Sequence, residues 1–154
     1  MKKTKNSSVR IELPDINVLL ALVDPNHMHH ATASQWFMSA SQNGWATCPL
    51  TENGFIRILS NPKYPGIRLR VADAVALLDT LIQNHATTHH FWADTVSLCD
   101  QTLFRHIAIA GPNQITDVYL LGLCQRNNGT LVTLDASITD VAIVSPNPTL
   151  IHRL

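Results

Sequence analysis

Short apolar runs alternate along this chain with longer stretches whose apolar residues recur every three or four positions. The first kind reads as buried strands, the second as helices packed by one face. A strand is expected over 9–15, ending at Pro14-Asp15, with Asp15 or Asn17 placed to cap a helix through Val18-Leu19-Leu20-Ala21-Leu22-Val23. A second helix is expected from about 29 to 41, with Ala33, Trp36, Phe37 and Ala40 on one face, then a turn at Asn43-Gly44 and a short strand over 45–48. A helix over 49–59 carries Glu52 in its first turn and stops at Asn61-Pro62. After a Pro- and Gly-rich loop over 61–68, periodicity through Val71, Val75, Leu78, Leu81 and Ile82 predicts a helix over 69–84.

The second half continues the alternation. A strand is expected within 85–92 and a helix over 97–107. Thr116 is placed to cap a helix over 117–126 that ends at Asn127-Asn128-Gly129 through a left-handed residue. The run Thr130-Leu131-Val132-Thr133-Leu134 is a buried strand stopped by Asp135, and 142–144 and 150–152 read as final short strands. Alternating strands and helices predict an α/β fold, a mostly parallel central sheet with helices on both faces.

Composition narrows this to one domain over 9–154, preceded by a loose basic tail over 1–8 that holds Lys2, Lys3 and Lys5. Apolar residues make up 45% of the 154 and charged residues only 14%, a balance suited to a packed core and not to a disordered chain. Only Glu12 and Glu52 are glutamates, so a carboxylate in an apolar context is informative. The formal net charge is zero, and overall basicity does not advertise nucleic-acid binding. A local basic stretch, Arg57, Lys63, Arg68 and Arg70, could hold phosphates. Cys48, Cys99 and Cys124 have no paired spacing, which fits thiols in a reducing compartment. With no signal-peptide pattern and no uninterrupted apolar span, the expectation is a cytoplasmic protein without a membrane segment.

Four acids stand where such a fold would gather them. Asp15 and Asp135 end strands, Asp117 starts a helix whose positive end favours its charge, and Glu52 lies one turn into another. Strand carboxyl ends share one edge in a parallel sheet, the edge on which α/β folds bind ligands. Carboxylates crowded there repel one another unless a cation or a proton intervenes. Asn17, Thr116 and Thr133 add neutral oxygens. An all-oxygen set suits Mg²⁺ or Mn²⁺. Each acid also has a plainer reading as a helix cap or turn residue.

At these residues the chain resembles the PIN-domain ribonucleases, in particular the VapC-type toxins of bacterial toxin–antitoxin pairs. The similar segments are Leu13-Pro14-Asp15-Ile16-Asn17-Val18-Leu19-Leu20, the run His27-Met28-His29-His30 leading into Trp36-Phe37, Thr51-Glu52-Asn53-Gly54-Phe55-Ile56-Arg57, Ile115-Thr116-Asp117-Val118-Tyr119-Leu120 and Leu131-Val132-Thr133-Leu134-Asp135. The resemblance implies a three-layer α/β/α fold and a metal-dependent endoribonuclease leaving a 5′-phosphate and a 3′-hydroxyl. It implies Asp15, Asp117 and Asp135 as Mg²⁺ ligands, Glu52 as a catalytic residue that binds metal or helps orient the attacking water, and Asn17 and Thr116 as hydrogen-bonding support. It also implies a homodimer and a cognate antitoxin whose peptide fills the groove. After Asp135 the chain departs from the pattern, with Ala136-Ser137-Ile138 and then Asp140.

Other readings compete. The same fold could bind RNA or an antitoxin with little turnover. An aspartyl phosphotransferase could use Asp15 as a nucleophile, although Ile16 and Asn17 do not supply the second aspartate such sites place nearby. His27, His29 and His30 with His89 and His90 invite zinc, without regular ligand spacing. Arg57, Arg68 and Arg70 are candidates for contacts to an RNA backbone; Trp36, Trp45 and Trp92 read as core aromatics, with Trp92 the best placed of the three for the alternative of stacking on a base.

Overall fold

A computed structural model describes residues 9–154, so the expected basic tail over 1–8 lies outside the described residues. The elements are β1 (Glu12–Pro14), α1 (Ile16–Val23), α2 (His30–Asn43), β2 (Trp45–Thr47), α3 (Pro49–Leu59), α4 (Val71–Asn84), β3 (His89–Phe91), α5 (Ile115–Arg126), β4 (Thr130–Thr133) and β5 (Ile151–Arg153). The five strands form one sheet in the order β3-β2-β1-β4-β5, and every pairing is parallel. The chain builds outward from β1 to β2 and β3, then returns to add β4 and β5 on the other side. The topological switch therefore falls between β1 and β4, where an open parallel sheet has its ligand crevice.

Both faces of the sheet are buried, and successive strand residues serve opposite cores. Trp45 and Val132 pack with Val18, Leu19, Trp36, Phe37, Phe55 and Leu78 beneath α1–α4. Leu13, Ala46 and Leu131 pack with Leu120, Leu123, Phe104 and Ile143 on the α5 side. This is the three-layer α/β/α arrangement. Pro14 stands in the central strand without a donor, and β1 pairs with β2 only through Glu12 opposite Trp45, so the β2 ladder needs none there.

Several expected elements change. The helix expected over 97–107 is a series of turns ending in a 3-10 turn at His106–Ala108. The Ser97 hydroxyl accepts the Cys99 N–H, and the Asp100 carboxylate accepts both the N–H and the hydroxyl of Thr102, so local side chains capture donors a helix would use. Tertiary pairing takes the rest. The Arg105 N–H donates to the Ala142 carbonyl and the Val144 N–H to the Leu103 carbonyl, around a single antiparallel bridge between Phe104 and Ile143. The strand expected over 142–144 is reduced to that bridge. In α4 the buried face is Ala74 and Leu78, whereas Val71 and Val75 are exposed. Helix α5 begins at Ile115, running on from a 3-10 turn at Pro112–Gln114, so Thr116 lies inside the first turn and does not cap it.

Two close approaches shape the connections. Asn128, at φ 52°, is the left-handed residue that ends α5. Gly129 serves space instead: a Cβ there would fall 2.8 Å from the Ile11 carbonyl oxygen and 2.3 Å from the Trp92 ring. Trp92 is thus a core residue packed over β4's entry and not a stacking platform, because its ring is closed in by that backbone. In the loop over 61–68, the Tyr64 hydroxyl donates to the buried Asp24 carboxylate at 2.9 Å, and burial together with that carboxylate pushes the phenol up to about 12.

Gly129→Ala is expected to destabilise the fold by about 1–3 kcal/mol, the usual cost of overpacking against backbone. Chemical denaturation of the two proteins checks it, and equal midpoints would refute the close-approach account.

Candidate active site

Asp15 follows β1 directly and caps α1. Its backbone N–H donates to the Val132 carbonyl at 2.9 Å, which continues the β1–β4 ladder by one residue. That bond turns the side chain back over the helix start. Oδ1 accepts the Val18 N–H at 2.8 Å, and Oδ2 accepts the Thr133 hydroxyl at 2.6 Å. The residue is only 5% exposed. Burial holds its carboxyl above the usual range, against the lowering effect of the Thr133 and Val18 bonds, and the charge of Asp117 raises it further.

Thr133 is the last residue of β4 and fully buried. It gives its one proton to Asp15 and accepts the Asp135 N–H at 3.0 Å. One hydroxyl thereby fixes Asp15 relative to the segment that carries Asp135. The Asp135 carboxylate accepts the Ser137 N–H at 2.8 Å and the Ser137 hydroxyl at 2.6 Å, which lowers its pKa and keeps it ionised.

Asp117 stands in the first turn of α5, half-buried. Burial raises its pKa, and the charge of Asp135 adds to the rise. Asp15, Asn17, Thr116 and Asp117 share a cleft of about 140 Å³ with Ile16, Ile58 and Leu120. Among the described residues, no lysine or arginine lines it. The acids are coupled in sequence, Asp15 to Asp117 and Asp117 to Asp135, with nothing cationic between them on that wall.

Glu52 takes a different partner. It sits one turn into α3, and its Oε1 accepts the Thr47 hydroxyl at 2.6 Å. It does not line the small cleft. Among the described residues, no group of three or more Asp, Glu, His or Cys side chains is drawn to metal-binding spacing. The site is an open set of paired carboxylates. Such a set still fits a Mg²⁺-sized cation, which takes one or two protein carboxylates and keeps several waters. The buried Asp15 beside Asp117, with no lysine or arginine among the described residues of the cleft, supplies the need.

The remaining candidates fall outside the cleft. Arg57 is exposed on the last turn of α3, beside the cleft-lining Ile58. Arg68 is exposed, and Arg70 is tied to Asp73 at 2.8 Å across an open surface. His27 accepts the His29 N–H, His30 bonds the Ala21 carbonyl and His89 bonds Thr47, so these rings have structural partners and do not converge as zinc ligands. Cys48 and Cys124 are buried and Cys99 exposed, all as free thiols. Thr47 escaped the sequence reading, and His89 entered it only as a possible zinc ligand. Thr47 had one available signal, since it ends β2 just as Thr133 ends β4.

No protein-family model matches the chain. It is 41% identical over 131 residues to Ribonuclease VapC44 of Mycobacterium tuberculosis, spanning 85% of this chain and 90% of that protein. It is 42% identical over 134 residues to Ribonuclease VapC38 of the same organism, spanning 87% and 92%. Among solved structures, VapBC2 from Rickettsia felis bound to a promoter DNA fragment superposes over 94% of this chain and 98% of that one, with a TM-score of 0.59 and 14% identity, a likeness of fold.

The raised carboxyls set a sign for stability. A group whose folded pKa is raised contributes stability below its unfolded value, here 3.8, and that stability is lost as pH rises through the folded value. At neutral pH the metal-free chain therefore carries a penalty at Asp117. Asp117→Asn is expected to melt a few degrees higher than the parent in EDTA at pH 7, with the difference vanishing below about pH 4 where both are uncharged. Adding Mg²⁺ is expected to raise the parent melting temperature more than that of the variant. Thermal melts across pH, with EDTA and with Mg²⁺, check both; a variant less stable in EDTA at pH 7 would contradict them.

Proposed function

The chain belongs to the VapC ribonucleases, and on that premise we propose that it is a Mg²⁺- or Mn²⁺-dependent endoribonuclease, the toxin of a type II toxin–antitoxin pair. The observation that carries the metal-dependent part is the buried Asp15 carboxylate sharing a cation-free cleft with Asp117 at the sheet's switch point. Asp15, Asp117 and Asp135 would hold the cation. When bound, it would supply Lewis acidity to the scissile phosphate and to the attacking water.

The chain's own groups do the rest. Thr133 and the Val18 N–H keep the Asp15 carboxylate in a single orientation, so little reorganisation is left for the reaction. Ser137 holds Asp135 in its charged form. Asn17 and Thr116 line the cleft and can hydrogen-bond phosphate or ribose oxygens. Glu52 would help orient the attacking water. Ile16, Ile58 and Leu120 form an apolar flank that limits water. Arg57, exposed on the last turn of α3, would hold a flanking phosphate, and Arg68 and Arg70 would extend the basic surface, Arg70 only in competition with Asp73. A cognate antitoxin and a second copy of the chain are the expected protein partners. No helix among the described residues is long and apolar enough to cross a membrane, and the proposed setting is the cytoplasm, where RNA is met.

Purified free of any antitoxin, the chain is expected to cut single-stranded RNA with Mg²⁺ or Mn²⁺ and not with EDTA. Asp15→Asn is expected to lose at least about 100-fold in rate, beyond the range for outer-shell partners. Undiminished cleavage by that variant would remove the assignment, and RNA retention without turnover in any metal would make the chain a binding module. Arg57→Ala is expected to raise KM several-fold at unchanged kcat, the effect shrinking as salt rises. Steady-state kinetics at two salt concentrations measure it.

A further inference from the structure

Glu52 owes its orientation to residues outside the acidic cleft. Thr47 ends β2 and is fully buried. Helix α3 starts just after it, which brings Glu52, one turn along, back over the strand end. In the β2–β3 register Trp45 pairs with His89 and Thr47 with Phe91, so alternation puts the side chains of Trp45, Thr47 and His89 on one face. The result is a chain of three groups. The Thr47 hydroxyl lies 2.6 Å from Glu52 Oε1 and 2.9 Å from His89 Nε2.

The proton count in that chain has one solution for an ionised Glu52. A carboxylate only accepts, so the single Thr47 proton is committed to Oε1. The 2.9 Å contact then requires Nε2 to carry a hydrogen and donate to the Thr47 oxygen. Nδ1 is left bare in the neutral ring. The His89 ring plane is fixed from below by Trp45, with centroids 4.6 Å apart at 62°, and Trp45 is itself held edge-on by Phe37 at 5.0 Å. Burial and the neighbouring His90 lower the His89 pKa, which favours the neutral ring.

We propose that Thr47 and His89 form a relay that positions the Glu52 carboxylate for RNA cleavage, with His89 held as the Nε2–H tautomer by its contact with Thr47. The relay occupies Oε1 and leaves Oε2 to the chemistry. Thr47 does for Glu52 what Thr133 does for Asp15: a strand-end threonine spends its proton on an acid across a connection. His89 is a positioning residue and touches no substrate. This inference rests on the reading of Glu52 as part of the cleavage machinery.

The test uses the full-length chain with Mg²⁺ and a single-stranded RNA. Thr47→Val and His89→Phe remove the relay. Thr47→Ser keeps the hydroxyl, and His89→Gln keeps a donor near Nε2. Removal is expected to lower kcat about 10- to 100-fold at unchanged KM, the range for partners behind a reacting group. The conservative variants are expected to recover most of that loss. In a Glu52→Gln background, Thr47→Val is expected to add little, because the partner it serves is gone. Nitrogen-15 NMR of the parent is expected to show His89 protonated on Nε2, and this readout needs no activity. If Glu52→Gln cuts like the parent, the reading of Glu52 falls and the relay's catalytic role with it. If Glu52→Gln is impaired while Thr47→Val and His89→Phe are not, the relay alone falls. A Nδ1–H tautomer, or a Thr47→Val loss undiminished by Glu52→Gln, also overturns it. Should His89→Phe fail to fold, Thr47→Val and the NMR signature decide.

Discussion

The hydrogen bond from Thr133 to Asp15 is the contact around which the active edge is organised. It joins the ends of the neighbouring strands β1 and β4, at the point where the strand order reverses. An ionised carboxylate this deeply buried is costly, and the cost is contained by one hydroxyl, one helix N–H and the positive end of α1. The remaining imbalance is a like-charged Asp117 in the same cleft. The fold thus maintains a local excess of negative charge that only a cation or a proton relieves. That excess is the physical content of the site, and it exists because strand order and parallel register bring positions 15, 117 and 135 to one edge.

Much of this was legible in the chain. The run Thr130-Leu131-Val132-Thr133 has no polar face, which marks a strand buried on both sides, and Asp15 after Pro14 marks both a strand end and a helix cap. Each of these features is local, and local features survive translation into structure. What was misread depended on distant partners. Residues 97–107 carry enough apolar spacing for a helix, but the Arg105 N–H is taken by Ala142, 37 residues on, the Leu103 carbonyl by Val144, 41 residues on, and Asp100 satisfies Thr102 locally. Trp92 is in the core as its aromatic character suggests, and the alternative of base stacking fails because Gly129, 37 residues away in sequence, closes over it. Val71 and Val75 keep the right period and still face outward, since Ala74 and Leu78 occupy the face that meets the core.

The candidate site divides in the same way. Asp15, Asp117 and Asp135 stood out as candidates because strand ends and helix starts are visible in sequence. Glu52 was found by its helix position, but its partners were not, because Thr47 and His89 are 42 residues apart and meet only through the β2–β3 register. The four acids prove to be unequal. Asp15 is walled in, Asp117 half-covered, Asp135 exposed and pinned by Ser137, and Glu52 faces a threonine and a histidine. Graded environments of this kind give chemically identical groups different protonation behaviour.

The staple between Tyr64 and Asp24 bears on how such a protein can diversify. Helix α1 spans eight residues, about 12 Å, with the buried Asp15 at one end and the buried Asp24 at the other. Gly66 fits against Asp24 so closely that a Cβ would fall 2.0 Å from its carboxylate. Within the loop over 61–68, these two anchors are constrained, while Lys63, Pro65 and Arg68 are exposed between and beside them. A loop held by two fixed pegs can change the exposed residues between them while the buried end of α1 keeps its place.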